Sequence, residues 1–180
     1  MTEEKREKWL NLLALTTVIL AVGATLSNFK GSSFSTRSVL AQSQAAEEWN
    51  YYQAKSIKGY LYEIQRDELQ MELTALQAQS QPPQAQLDEY QQKIAFYSEK
   101  IQTYDEEKKT IQQNAMTLES NRDDYRKHSG RFGTAVMFLQ IAILLSSIAA
   151  LLKNKAVWVM GLLTGLGGMF FFVEGFLGLL

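Results

Sequence analysis

Residues 132–180 read FGTAVMFLQIAILLSSIAALL, then KNK, then AVWVMGLLTGLGGMFFFVEGFLGLL. Two apolar stretches, 133–152 and 156–180, flank Lys153, Asn154 and Lys155. Each is close to the roughly 20 residues a helix needs to cross a bilayer core. A third such stretch, WLNLLALTTVILAVGATLSN at 9–28, follows a short basic N-terminus (1–8) with Lys5, Arg6 and Lys8. The expected fold class is an all-α membrane protein. Three transmembrane helices carry a long antiparallel coiled-coil hairpin, residues 35–129, inserted between the first and second. Val22-Gly23-Ala24 has the small residues of a signal cleavage site, but the apolar run exceeds a typical signal core, so an uncleaved anchor is expected.

Composition separates these parts. Segment 36–131 holds 15 of the 16 glutamines and 15 of the 19 acidic residues, so the chain alternates between a bilayer-compatible and a water-compatible composition. The formal net charge of −1 gives no bulk electrostatic case for nucleic-acid binding. There is no cysteine and one histidine, His128. The usual ligands for zinc, haem and iron–sulfur clusters are therefore lacking, and no cofactor, metal site or disulfide framework is expected.

Three spans put the chain ends on opposite sides of a membrane. The N-terminus then shares a side with Lys153–Lys155. Lys5, Arg6, Lys8, Lys153 and Lys155 lie in short segments, where the positive-inside rule is strongest, and assign that side to the cytoplasm. Trp9 and Trp158 would meet the same interface. The basic residues Lys30, Arg37, Arg122, Arg126, Lys127 and Arg131 flank the opposite side, but belong to a long segment where the rule is weak. The hairpin is then extracytoplasmic, or periplasmic.

Within the hairpin, Gly31-Ser32-Ser33 are expected to break the chain after the first span, with Ser35 or Thr36 capping a new helix that runs to about Ser80. Pro82-Pro83 cannot continue a helix interior but fit a turn near 81–84. A second helix is expected from about Gln84 to His128, ended by Gly130 and Gly133. It carries a heptad. Tyr90, Tyr97, Tyr104, Ile111, Leu118 and Tyr125 form one line, and Leu87, Ile94, Ile101, Lys108, Ala115 and Arg122 the other. More than five heptads of such a seam are specific for a coiled coil. The first helix bears two stripes. Ile57, Ile64, Met71 and Ala78, with Ala54, Leu61 and Ala75, form one; Tyr62, Leu69, Leu73 and Leu76 form the other. One stripe suffices to pair with the second helix. The other needs a further partner, and a second copy of the chain is the simplest.

The run Trp49-Asn50-Tyr51-Tyr52-Gln53-Ala54-Lys55-Ser56-Ile57-Lys58, with Tyr60-Leu61-Tyr62-Glu63, resembles the family catalogued as domain of unknown function 4337. The run from Leu13 to Val22 resembles it too, as does the order of anchor, Gln-rich helical segment and two closing spans. The resemblance implies a bacterial membrane protein and supplies no activity, so no functional residue is carried over from it.

Trp49, Tyr52, Ser56 and Tyr60 are spaced to share a helix face, with Lys55 at its edge and Lys58 pointing away. This is either a recognition patch or interhelical packing. Glu174, ionisable within a span, is a functional candidate by default. It can pair with Arg131, contact another copy or lie on an ion path. Gly161, Gly165 and Gly168, with Thr164, make a small face on the third span, suited to the second span or a neighbouring chain. Gln140 and Ser147 can hydrogen-bond to a partner helix. The candidate oligomer or partner contacts are Trp49, Tyr52, Tyr62, Leu69, Leu73, Leu76, Gly161, Gly165 and Gly168; the intramembrane polar candidates are Glu174, Arg131 and Gln140. No phosphate loop, nucleophile elbow or paired-carboxylate site is present, so an enzyme is not expected. The expected function is a homo-oligomeric helical stalk or ring, a scaffold or spacer at the cell envelope. The alternatives are a small channel or transporter component with pore-lining third spans, and a peptide- or lipid-binding adaptor using the patch near Trp49.

Overall fold

A computed structural model describes residues 3–177, with side chains from Lys8 onward. They form three helices, α1 (Glu3–Gln77), α2 (Gln84–Leu152) and α3 (Lys155–Leu177). Each contains a stretch long and apolar enough to cross a membrane. Residues 178–180 of the third expected span, and the side chains of Lys5 and Arg6, lie outside the described residues.

The expected helix breaks are absent. α1 runs unbroken through Gly31–Ser33, and α2 through Gly130 and Gly133. Local bonding explains the first: the Thr36 hydroxyl donates to the Ser32 carbonyl, and a Cβ at Gly31 would lie 3.1 Å from that of Phe132. Glycine costs a helix about 1 kcal/mol relative to alanine, and this close approach of α1 to α2 offsets that cost. The hydroxyls of Thr16, Thr17, Thr25 and Ser27 likewise donate to carbonyls three or four residues back, so they remain satisfied in apolar surroundings.

The turns follow their residues. α1 ends at Gln77, before Pro82-Pro83, and the Pro83 carbonyl accepts from the Gln86 and Leu87 amides at the start of α2. Between α2 and α3, Lys153 has φ 50°, the left-handed conformation in which many helices end. The Asn154 side chain then accepts from the Ala156 amide at 2.9 Å, an N-cap for α3.

The chain divides into two compact units. One comprises residues up to Leu40 and from Asn121 onward. In it, Leu20 and Ala24 of α1 pack with Leu139 and Ala142 of α2, joined by Met169 of α3. A second cluster joins Trp9 and Leu13 to Ala149, Val157 and Trp158, with the two tryptophan rings edge-on at 6.4 Å. The outward side chains, including Val18, Val22, Leu144, Leu163 and Leu166, are large, apolar and exposed.

The other unit is Ala41–Ser120. Its α2 segment buries Leu87, Ile101, Ile111 and Ala115, and half-buries Tyr90, Ile94, Tyr97, Tyr104, Lys108 and Leu118. Every heptad position expected on the seam within this unit is thus withdrawn from solvent. On α1 the withdrawn positions include Ala41, Ala45, Glu48, Tyr52, Lys55, Gly59, Tyr62, Arg66, Leu69, Leu73 and Leu76, spaced three and four apart, with Trp49, Ser56 and Glu63 half-buried beside them.

Candidate functional site

The second unit settles which stripe of α1 is covered. Tyr62 sits with ring centroids 5.8 Å from Tyr104 and 5.6 Å from Tyr97. Leu69, Leu73 and Leu76 continue its line and are half-buried. Within one chain these candidate oligomer contacts line the seam between α1 and α2. Gly59 lies on the covered stripe, and a Cβ there would lie 3.9 Å from the Tyr104 Cβ, at ordinary van der Waals distance, so the two helices approach closely at this point.

The stripe left outward is therefore Ile57 (61% exposed), Leu61 (57%), Ile64 (56%) and Met71 (67%). These residues recur at three-, four- and seven-residue steps, so they share one side of the helix.

The Trp49 region also points inward. The Trp49 Nε1–H donates to Glu119 Oε1 at 3.0 Å, and its ring packs edge-on against Tyr52 at 5.6 Å. Trp49, Tyr52 and Ser56 are half-buried, while Tyr60 and Lys58 are exposed. Within one chain Trp49 and Tyr52, expected as candidate partner contacts, also lie along the seam. Lys55 Nζ lies 2.6 Å from Glu107 Oε2 and 5.1 Å from the Tyr104 ring centroid. The hydrogen bond it donates to Glu107 raises its pKa above the ordinary 10.5, against the opposing effect of desolvation. Lys108, at a seam position, meets Asp105 at 2.7 Å, and that hydrogen bond raises its pKa in the same way. A charged residue enters this seam with its counter-ion, which keeps it compatible with the packing.

In the first unit, Arg131 Nε lies 3.3 Å from Glu174 Oε1, and Glu174 is only 7% exposed. Around them Phe132 is fully buried against Phe172 and Phe176, and Phe34 stacks on both His128 and Phe132. His128 Nδ1 lies 2.8 Å from the Gly175 carbonyl. A carbonyl only accepts, so that nitrogen carries the proton, and His128 serves one of the last carbonyls of α3. The sequence reading missed this contact. Its one available signal was the lone histidine beside an apolar stretch.

Gly161, Gly165 and Gly168 are all buried. A Cβ at Gly161 would meet Ala142, Leu145 and Ser146 of α2; at Gly168, Leu139 of α2; at Gly165, chiefly Leu20 of α1. These contacts lie within one chain, and at Gly161 and Gly168 they are with the second apolar stretch, the first of the two partners expected for this face. Gln140 and Ser147 face outward on α2. The Ser147 hydroxyl donates to the Ile143 carbonyl at 2.9 Å. Among the described residues, no group of three or more His, Asp or Glu side chains is placed to hold a metal ion.

A family model matches residues 9–178. The chain belongs to the family described as Domain of unknown function (DUF4337). The match spans the first apolar stretch, the Gln-rich segment and nearly all of the two closing apolar stretches. No curated protein and no solved structure matches the chain.

Proposed function

We propose that this chain is a non-enzymatic, multi-pass membrane protein of the bacterial envelope that works as a homo-oligomeric scaffold or spacer. The apolar parts of α1, α2 and α3, at 9–28, 133–152 and 156–180, are its spans. Large apolar side chains cover the outside of the first unit, where a water-exposed protein would carry charge, and this supports bilayer insertion. Segment 35–129 is an antiparallel coiled-coil hairpin. The partner numbers support that direction: Trp49 meets Glu119, Lys55 meets Glu107, and Tyr62 meets Tyr104 and Tyr97. The N-terminus and Lys153–Lys155 are cytoplasmic, and the hairpin is extracytoplasmic.

One observation carries the oligomer: Ile57, Leu61, Ile64 and Met71 stay exposed after the seam is complete. A contiguous apolar stripe on a water-facing helix marks a protein contact. Further hairpins of the same chain, laid side by side, would cover it and build a stalk or ring. The pairing and burial of Glu174 favour a structural role for it over an ion path.

Mass measurement of the full chain in a mild detergent or lipid disc tests this. The expected protein mass is a multiple of 20.4 kDa. Ile64→Glu with Met71→Glu is expected to reduce it toward one copy while helix content stays intact. A strictly monomeric wild type would refute the proposal.

A further inference from the structure

Of the 16 glutamines, Gln140 alone lies outside segment 36–131, inside the apolar stretch of α2. It is seven residues past Gly133, roughly 10 Å along the helix. Several other polar side chains of the α2 and α3 stretches are satisfied within the chain, whereas the Ser146 hydroxyl is buried in the core without a hydrogen-bond partner. Thr134, Ser147 and Thr164 donate to carbonyls of their own helices, and Glu174 meets Arg131. Gln140 is exposed, and no hydrogen bond joins it to another described residue. In hydrocarbon its two N–H donors and its carbonyl would lack partners, at a cost of several kcal/mol.

We infer that Gln140 pairs with Gln140 of a second copy of this chain, across a twofold axis along the membrane normal. The inference rests on reading the apolar helices as spans of a homo-oligomer, and it names the contact inside the bilayer. A carboxamide is complementary to itself. Each Nε2–H donates to the other Oε1, so two copies satisfy each other with two hydrogen bonds and need no second kind of partner. A twofold contact also requires the same patch on both copies. Gly133, Gln140 and Ser147 recur every seven residues, and all three are exposed. A Cβ at Gly133 would meet nothing within 4 Å, so the small residues flanking Gln140 leave room for a close helix approach. This line is distinct from the buried one of Leu139, Ala142, Ser146 and Ala149 that serves the chain's own core.

The chain has no cysteine, so single reporters can be placed in full-length protein. Ser147→Cys, on the same line, is expected to form disulfide dimers on mild oxidation in membranes. Ile141→Cys, about 100° around the helix from Gln140, is expected to stay monomeric. Adding Gln140→Leu to Ser147→Cys is expected to weaken dimerisation about tenfold, within the range of interhelical hydrogen bonds. Gln140→Asn, which keeps the amide, is expected to restore part of it. Equal crosslinking at both reporters, or crosslinking unmoved by Gln140→Leu, would overturn the inference. Wild-type mass separates the two failures: if the protein is oligomeric and either result appears, only the Gln140 contact is lost; if it is monomeric, the scaffold reading is lost as well.

Discussion

Replacing Gly168 with alanine tests the packing of α3 most sharply. The added Cβ would lie 2.7 Å from Leu139 Cγ, 3.0 Å from Leu139 Cδ2 and 3.0 Å from the Leu139 backbone nitrogen. Leu139 is fully buried, so its side chain has no space to rotate into, and the nitrogen moves only if α2 moves. Overpacking of this kind costs about 3 kcal/mol at the upper end of its usual range. Alanine returns about 1 kcal/mol of helix propensity. The net loss expected for Gly168→Ala is thus roughly 2 kcal/mol. Gly165→Ala is the instructive comparison. Its nearest contact is shorter, 2.6 Å, but it is with Leu20 Cδ2, the end of a flexible side chain. A rotamer change relieves it, so the expected cost is smaller, about 1 kcal/mol or less. At Gly130 a Cβ meets nothing within 4 Å, and Gly130→Ala is expected to stabilise by about 1 kcal/mol. Thermal unfolding in one detergent, followed by near-ultraviolet circular dichroism, ranks the three. The reasoning fails if Gly168→Ala is no worse than Gly165→Ala, or if Gly130→Ala destabilises.

Three further outcomes are expected. Arg131→Met strands the buried Glu174 carboxylate and should cost about 3 kcal/mol, whereas Arg131→Met with Glu174→Met should recover most of it; additive losses in the double-mutant cycle would show that the pair is not coupled. Glu107→Gln should cost under about 1 kcal/mol at neutral pH, since this pair is partly open to solvent. Because the folded pKa of Lys55 is raised, the pair's contribution is present below about pH 10.5 and is lost as pH rises through the folded value; a difference between wild type and Glu107→Gln that persists well above that pH would contradict the assignment. Trp49→Phe removes the donor to Glu119 and should cost about 1 kcal/mol in chemical denaturation, while an unchanged midpoint would mean that this hydrogen bond adds nothing.

The sequence made some of this architecture plain and hid the rest. The three apolar stretches and the Tyr90–Tyr97–Tyr104 heptad were legible because their periods persist over several turns. The continuity of α1 through Gly31–Ser33 and of α2 through Gly130 was not, since glycine and serine signal a break locally but also permit close helix approach, and packing decided the outcome. The two stripes of α1 were both visible. Hydrophobicity alone could not rank them, because the winning stripe includes Glu48, Lys55, Gly59 and Arg66. Its selection depends on tyrosines of α2 that lie tens of residues away in the chain. At the candidate site the pairing of Arg131 with Glu174 could be anticipated from helix rise. The contact of His128 with Gly175 could not, because it needs the rotation of both helices.

The tyrosine-lined seam has a consequence for how the proposed hairpin opens. A ring with a hydroxyl loses less on meeting water than a leucine of similar bulk, because its polar tip is readily hydrated. Beyond the buried Leu87, the seam positions nearest the Pro82-Pro83 turn, Tyr90, Ile94 and Tyr97, are only half-buried, whereas Ile101, Ile111 and Ala115 lie deeper along the seam and are buried. Opening is therefore least costly at the turn, and amide protons there should exchange first, with protection rising along each arm toward Ala45 and Ala115. The hairpin would then unzip from its tip while its base remained closed.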